Sequence, residues 1–122
     1  MRVLVIDDDP ALVRLVSATL RDGGFIVSAA GNGVEGLQRV EEDAPDAIVL
    51  DLNMPLMDGP TFFKELRGRG VNTPVLVLSA HGARDVRRAI GADAAMEKPF
   101  DPDALVVRVR LLIDHDSDGV EA

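Results

Sequence analysis

A chain of 122 residues with a net charge of −8 and no cysteine is one domain, closed to disulfides and thiolate metal sites. Its composition, 47% hydrophobic and 28% charged, suits a soluble core, and no apolar run nears the roughly 20 residues that span a bilayer. The acidic balance argues against direct nucleic-acid binding, and MRVLVIDDD lacks a signal-peptide pattern, so the cytoplasm is the expected location.

In chain order, RVLVI (2–6), FIVSA (25–29), DAIVL (46–50), PVLVL (74–78) and AAME (94–97) are the predicted strands. The first, third and fourth are nearly unbroken runs of β-branched residues and leucine, the pattern of strands covered on both faces. Helical patterns run between them. Asp9-Pro10 reads as an N-cap with proline in the first helical position. Leu12, Leu15, Val16, Thr19 and Leu20 then form an apolar stripe that Gly23-Gly24 ends. Val34, Leu37 and Val40 form a second stripe, and Phe62 and Phe63 belong to the packing of a third helix. A further helix-like stretch lies between the fourth and fifth strands, around 84–90. Asp101-Pro102 opens the last one, with Leu105, Val109, Leu112 and Ile113 on its apolar face. Strands and helices alternating at this size give an α/β domain, a parallel sheet between helices with right-handed crossovers. Ligands of such sheets sit at the carboxyl ends of the strands, near the point where strand order reverses.

Two patterns compete there. AAGNGVEGL (29–37) carries Gly31, Gly33 and Gly36 in G-x-G-x-x-G spacing, with Asp51 twenty positions after Gly31, the outline of a dinucleotide fingerprint. The other pattern is the set of residues following the strands: Asp7, Asp8 and Asp9, then Asp51, Ser79 and Lys98. Asp9 serves as a helix cap. Singly, a strand-end serine or lysine means little, but neighbouring acids at the end of a buried strand repel each other and need a reason. Clustered carboxylates with a backbone carbonyl suit Mg²⁺, which keeps waters and a phosphate oxygen as further ligands. An aspartate beside such an ion can attack phosphorus to form an aspartyl phosphate. A lysine and a hydroxyl then supply charge and a hydrogen bond to the transferred group.

The segments VLVIDDD, DAIVLDLNMPLMDG, VLVLSAHG and EKPFD resemble the receiver domains of two-component response regulators, over essentially the whole chain. The resemblance implies a doubly wound (βα)5 fold with a five-stranded parallel sheet of order 2-1-3-4-5. It makes Asp51 the acceptor of a phosphoryl group from a histidine kinase, a phosphotransfer protein or a small phosphodonor. Asp7 and Asp8 become the acidic pair, Asp8 as a direct Mg²⁺ ligand and Asp7 through water, with Asp51 and the Asn53 carbonyl completing the metal set. Mn²⁺ would substitute for Mg²⁺. Lys98 would contact the phosphoryl group, with a cis bond to Pro99. Ser79 would be the switch hydroxyl, and Gly59 would permit the turn after the phosphorylation loop. The protein would then be no conventional enzyme, catalysing only its own phosphorylation and slow dephosphorylation, with output through contacts to other proteins as a monomer or weak dimer. Residues 1–115 would form the receiver and 116–122 a short acidic tail. The glycine motif is then a turn on an edge strand with Asn32 capping the following helix. NAD binding would leave Asp7, Asp8, Ser79 and Lys98 without a role and put pyrophosphate in an acidic field.

Two departures bear on output. Receivers commonly carry an aromatic residue three positions before the lysine, where this chain has Ala95, and the stretch from Ser79 to Lys98 is about one helical turn short. The resemblance thus implies that the helix around 84–90 is stubby. A phosphorylation-independent interaction module on the same fold is therefore an alternative. A haloacid-dehalogenase-like phosphatase is a second, using Asp7 and Asp9, but Pro10-Ala11 replaces its Gly-Thr and Asp51 would be idle. His81 near the rim could influence hydrolysis of the aspartyl phosphate, Met57 would pack inward beside Met54, and Arg84, Arg87 and Arg88 could attract an acidic partner. The two alternatives are a stand-alone regulator and a piece of a longer one, the direct start and the non-linker tail leaning toward the first.

Overall fold

The computed structural model describes residues 1–52, 59–79 and 92–121. Its strands are β1 (Arg2–Ile6), β2 (Ile26–Ala30), β3 (Ala47–Asp51), β4 (Val75–Ser79) and β5 (Ala94–Glu97). The helices among the described residues are α1 (Pro10–Asp22), α2 (Gly33–Asp43), α3 (Gly59–Gly68) and α4 (Pro102–Glu121). All strand pairs are parallel, in the order β2-β1-β3-β4-β5, so the expected doubly wound α/β sheet is present. The predicted helix at 84–90 lies outside the described residues.

Three strands begin and end one residue later than their sequence patterns suggest, each for a local reason. Phe25 donates its N–H to Leu20 O in the turn that closes α1, so the ladder starts at Ile26. Asp46 instead caps the neighbouring strand, its Oδ2 accepting Arg2 N–H at 2.8 Å. Pro74 has no N–H to give a ladder, although its carbonyl accepts from Ile48. The shift makes Asp51 and Ser79 the last residues of β3 and β4. The helix caps follow the sequence: Asp9 Oδ1 accepts Ala11 N–H, and Asn32 Oδ1 accepts Glu35 N–H.

Because β3 and β4 are buried along their whole length, alternate residues feed two separate apolar layers. Leu4, Ile6, Ile48, Leu50, Val75 and Val77 pack with Leu37 and Val40 of α2 and Phe62, Phe63 and Leu66 of α3. Val3, Val5, Val49, Leu76 and Leu78 pack with Val16 and Leu20 of α1 and Leu105, Val109 and Ile113 of α4. Two hydrophobic stripe residues point away from these layers: Leu15 is 51% exposed and Val34 46% exposed. Their places are taken by Ser17 on α1 and by Gly33 and Gly36 on α2.

At Gly36, α2 packs against Ile6 of β1 and Phe62 of α3 with no room for a side chain. A Cβ there would lie 2.6 Å from Ile6 Cδ1 and 3.0 Å from Phe62 Cε1, both on fully buried side chains. Gly36→Val should therefore cost about 2–3 kcal/mol through overpacking, read as a lower urea midpoint. Gly68→Ala, whose Cβ meets open space, is the matched control and should be near neutral. An unchanged midpoint for Gly36→Val would mean that α2 can slide outward.

Candidate functional site

The order of the sheet places β1 between β2 and β3, so the chain departs from β1 in opposite directions and leaves a crevice at the strand ends. Asp7 extends β1 by one bond, donating its N–H to Ala30 O at 3.1 Å. That bond keeps it inside: Asp7 is 4% exposed, whereas the following Asp8 turns outward. Asp51, 5% exposed, ends β3, and Ser79, 4% exposed, ends β4. Lys98 follows β5 and donates its backbone N–H to Ser79 O at 2.7 Å. Its bond to Pro99 is cis.

These elements bring opposite charges together. Lys98 Nζ donates to Asp51 Oδ1 at 3.2 Å and lies 3.8 Å from Asp7 Oδ2. Asp7 Oδ1 accepts the Asp9 backbone N–H at 2.9 Å, while Asp7 Oδ2 is buried without a hydrogen bond. Burial pushes the Asp7 carboxyl up to about 6; the charges of Asp51 and Asp8 act in the same direction, and the Asp9 N–H and Lys98 oppose them. The Asp9 amide is a site contact that residue types alone did not reveal, because it is a backbone donor. Its only signal was the Asp-x-Asp spacing, which allows a side chain to bond the amide two residues on.

One carboxylate oxygen from each of Asp7, Asp8 and Asp51 can be chosen so that all lie within 4.8 Å of one another. An all-oxygen anionic set with an unpartnered buried oxygen fits a hard divalent cation better than it fits water alone. Asp9 is absent from this cluster, its carboxylate being engaged at the start of α1. The phosphatase reading needed that residue at the reacting centre.

The remaining sequence candidates fall into two groups. Phe62 and Phe63 are buried in the α3 layer as expected, Ala95 is partly buried against the same layer, and Gly59 is the first residue of α3. Asn53, Met54, Met57, His81, Arg84, Arg87 and Arg88 lie outside the described residues. The glycine motif forms the β2–α2 turn, where Glu35 Oε2 accepts Gly31 N–H at 3.2 Å and Gly36 packs on Ile6. No helix among the described residues is long and apolar enough to cross a membrane.

Comparison with known proteins reaches the same architecture independently. A family model described as the response regulator receiver domain matches residues 3–110. The response regulator MprA of Mycobacterium leprae is 40% identical over 116 residues, covering 93% of this chain and 51% of the relative. The transcriptional regulatory protein PrrA of the same organism is 45% identical over 115 residues, covering 92% and 49%. The chain thus spans about half the length of these curated relatives. Among solved structures, the receiver domain of the Francisella response regulator 1452 superposes with a TM-score of 0.88 at 33% identity, covering 94% of this chain and 98% of that one. The Vibrio cholerae chemotaxis protein CheY4 gives 0.84, also at 33% identity, covering 91% and 97%. A family match along nearly the whole chain, on a 2-1-3-4-5 sheet with acids at its switch point, makes this chain a member of the response regulator receiver domain family, the signalling modules of two-component systems.

Proposed function

We propose that the domain is a phosphoryl-accepting switch in which Asp51 takes a phosphoryl group from a histidine kinase, a phosphotransfer protein or a small acyl phosphate. The observation that carries this reading is the pairing of a buried strand-end carboxylate with Lys98 beside two further acids. One carboxylate oxygen of Asp51 attacks phosphorus, and the donor leaves with its bonding electron pair. Lys98 lies close enough to Asp51 to follow the charge onto the transferred oxygens, and Ser79 offers a hydroxyl from the adjoining strand end. Asp7, Asp8, Asp51 and the Asn53 carbonyl would hold Mg²⁺, or Mn²⁺ in its place. The bound ion supplies positive charge to the phosphoryl oxygens, which the acidic pair alone would repel.

In this reading residues 1–115 are the receiver and 116–122 an acidic tail. Phosphorylation shifts the population between two conformations, and output passes through protein contacts. Ala95 supplies no aromatic ring for the usual coupling to Ser79, so the switch runs through other groups.

The test is intact-protein mass after incubation with acetyl phosphate, with Mg²⁺ or with a chelator. A single phosphoryl adduct that requires Mg²⁺ supports the proposal. Absence of an adduct together with failure to bind beryllofluoride would overturn it and favour an interaction module. Asp8→Asn should weaken Mg²⁺ binding by about tenfold or more, read by calorimetry; unchanged affinity would remove Asp8 from the metal set.

A further inference from the structure

A second polar assembly stands at the opposite end of the sheet, where β4 and β5 begin. Arg67, in the last turn of α3, donates from Nη1 to Val71 O at 3.0 Å and to Thr73 O at 2.9 Å. Its Nη2 donates to Asp93 Oδ2 at 3.2 Å, and its guanidinium carbon lies 4.5 Å from the centroid of the Phe63 ring. Asp93 Oδ2 also accepts Val75 N–H at 2.8 Å, and the Asp93 N–H donates to Val75 O at 3.1 Å. One guanidinium and one carboxylate therefore join the end of α3, the first residue of β4 and the residue that enters β5. A planar fork meeting two carbonyls and a carboxylate fixes direction as well as distance, which a lysine could not do.

What this assembly holds is one of the two edge strands, and the shorter of them. β5 lies at the sheet edge and pairs with β4 alone, through only four residues. Two of these are Ala94 and Ala95, whose methyl groups bury far less apolar area than the leucines and valines of β4. β5 carries Lys98 at its exit. Asp7 and Asp8, by contrast, follow β1 and Asp51 ends β3, strands that are flanked on both sides. A loosened β5 would move Lys98 relative to Asp51 while leaving the three carboxylates in place.

We propose that Arg67 and Asp93 are positioning residues for Lys98, pinning the entrance of β5 so that the ammonium at its exit stays within reach of Asp51. The functional half of this inference rests on the role given to Lys98 above; the structural half does not. The test compares wild type with Asp93→Ala, Arg67→Ala and Asp93→Asn by three measurements. These are amide hydrogen exchange of peptides covering 94–98, Mg²⁺ affinity by calorimetry, and the rate of adduct formation from acetyl phosphate.

The alanine variants should exchange about tenfold faster at 94–98, with β1 and β3 unchanged. Their adduct formation should slow by about tenfold, with Mg²⁺ affinity held within about twofold. Asp93→Asn keeps an acceptor for Val75 N–H and should fall between wild type and Asp93→Ala. It also carries the comparison if Asp93→Ala fails to fold. Unchanged exchange at 94–98, or a loss of Mg²⁺ affinity parallel to the loss of rate, would overturn the proposal. Should wild type form no adduct, the role of Lys98 falls, while the exchange data still decide whether Arg67 and Asp93 pin β5.

Discussion

Asp51→Asn should form no phosphoryl adduct under conditions where wild type forms one, a loss of at least about a thousandfold, as expected when a nucleophile is removed. The substitution is nearly isosteric. It keeps an oxygen that Lys98 Nζ can reach where it now lies 3.2 Å from Asp51 Oδ1, but it removes the anion that attacks phosphorus. At 5% exposure, Asp51 is held by β3 and its neighbours instead of by solvent, so the fold has little cause to rearrange around the amide. Circular dichroism should match wild type. An adduct that persists in Asp51→Asn would place the nucleophile elsewhere, with the outward-facing Asp8 as the first residue to examine.

The second large effect is on stability and has a definite pH sign. In metal-free protein the Asp7 carboxyl sits at about 6, above the ordinary aspartate value of about 3.9. The folded state therefore binds more protons than the unfolded state between these values, and unfolding free energy falls as pH rises through that window. The contribution at pH 7 is a destabilisation on the order of 3 kcal/mol. Asp7→Asn retains an acceptor for the Asp9 N–H while removing the buried charge, so in chelator it should be more stable than wild type at pH 7 by about that amount. The advantage should shrink as pH falls from about 6 and vanish by about pH 3, below both values, where Asp7 is protonated in folded and unfolded wild type alike. Added Mg²⁺ should stabilise wild type more than the variant, which keeps Asp8 and Asp51 but lacks the Asp7 charge. Urea midpoints at both pH values, with and without Mg²⁺, measure all of this; equal wild-type and variant midpoints at pH 7 in chelator would refute the account.

Much of the architecture was legible because the sequence patterns are local and redundant. Val-Leu-Val-Ile before Asp7 and Val-Leu-Val-Leu before Ser79 have no polar face, so each had to be an interior strand with its chemistry at the end. Leu15 and Val34 misled because an apolar residue at helical spacing says nothing about where the edge of a buried face lies. The site was less legible. Residue types could group Asp7 and Asp8, yet not tell which one is enclosed, since that depends on the bond from Asp7 N–H to Ala30 O across two strands. Arg67 and Asp93 gave no signal at all: their partners are mostly main-chain groups, and the residues themselves are 26 positions apart.

The division of the interior into two apolar layers has an evolutionary consequence. Leu50 and Phe62 lie on one side of the sheet, Val49 and Leu105 on the other, and among the described residues the two sets form separate clusters with the sheet between them. Volume lost or gained in one layer has no side chain in the other against which to be made good. Compensating substitutions should therefore arise within a layer, and each half-core can drift along its own lineage of repacked sequences. The strand backbones, shared by both, are the common inheritance, and it is from their ends that the acids project.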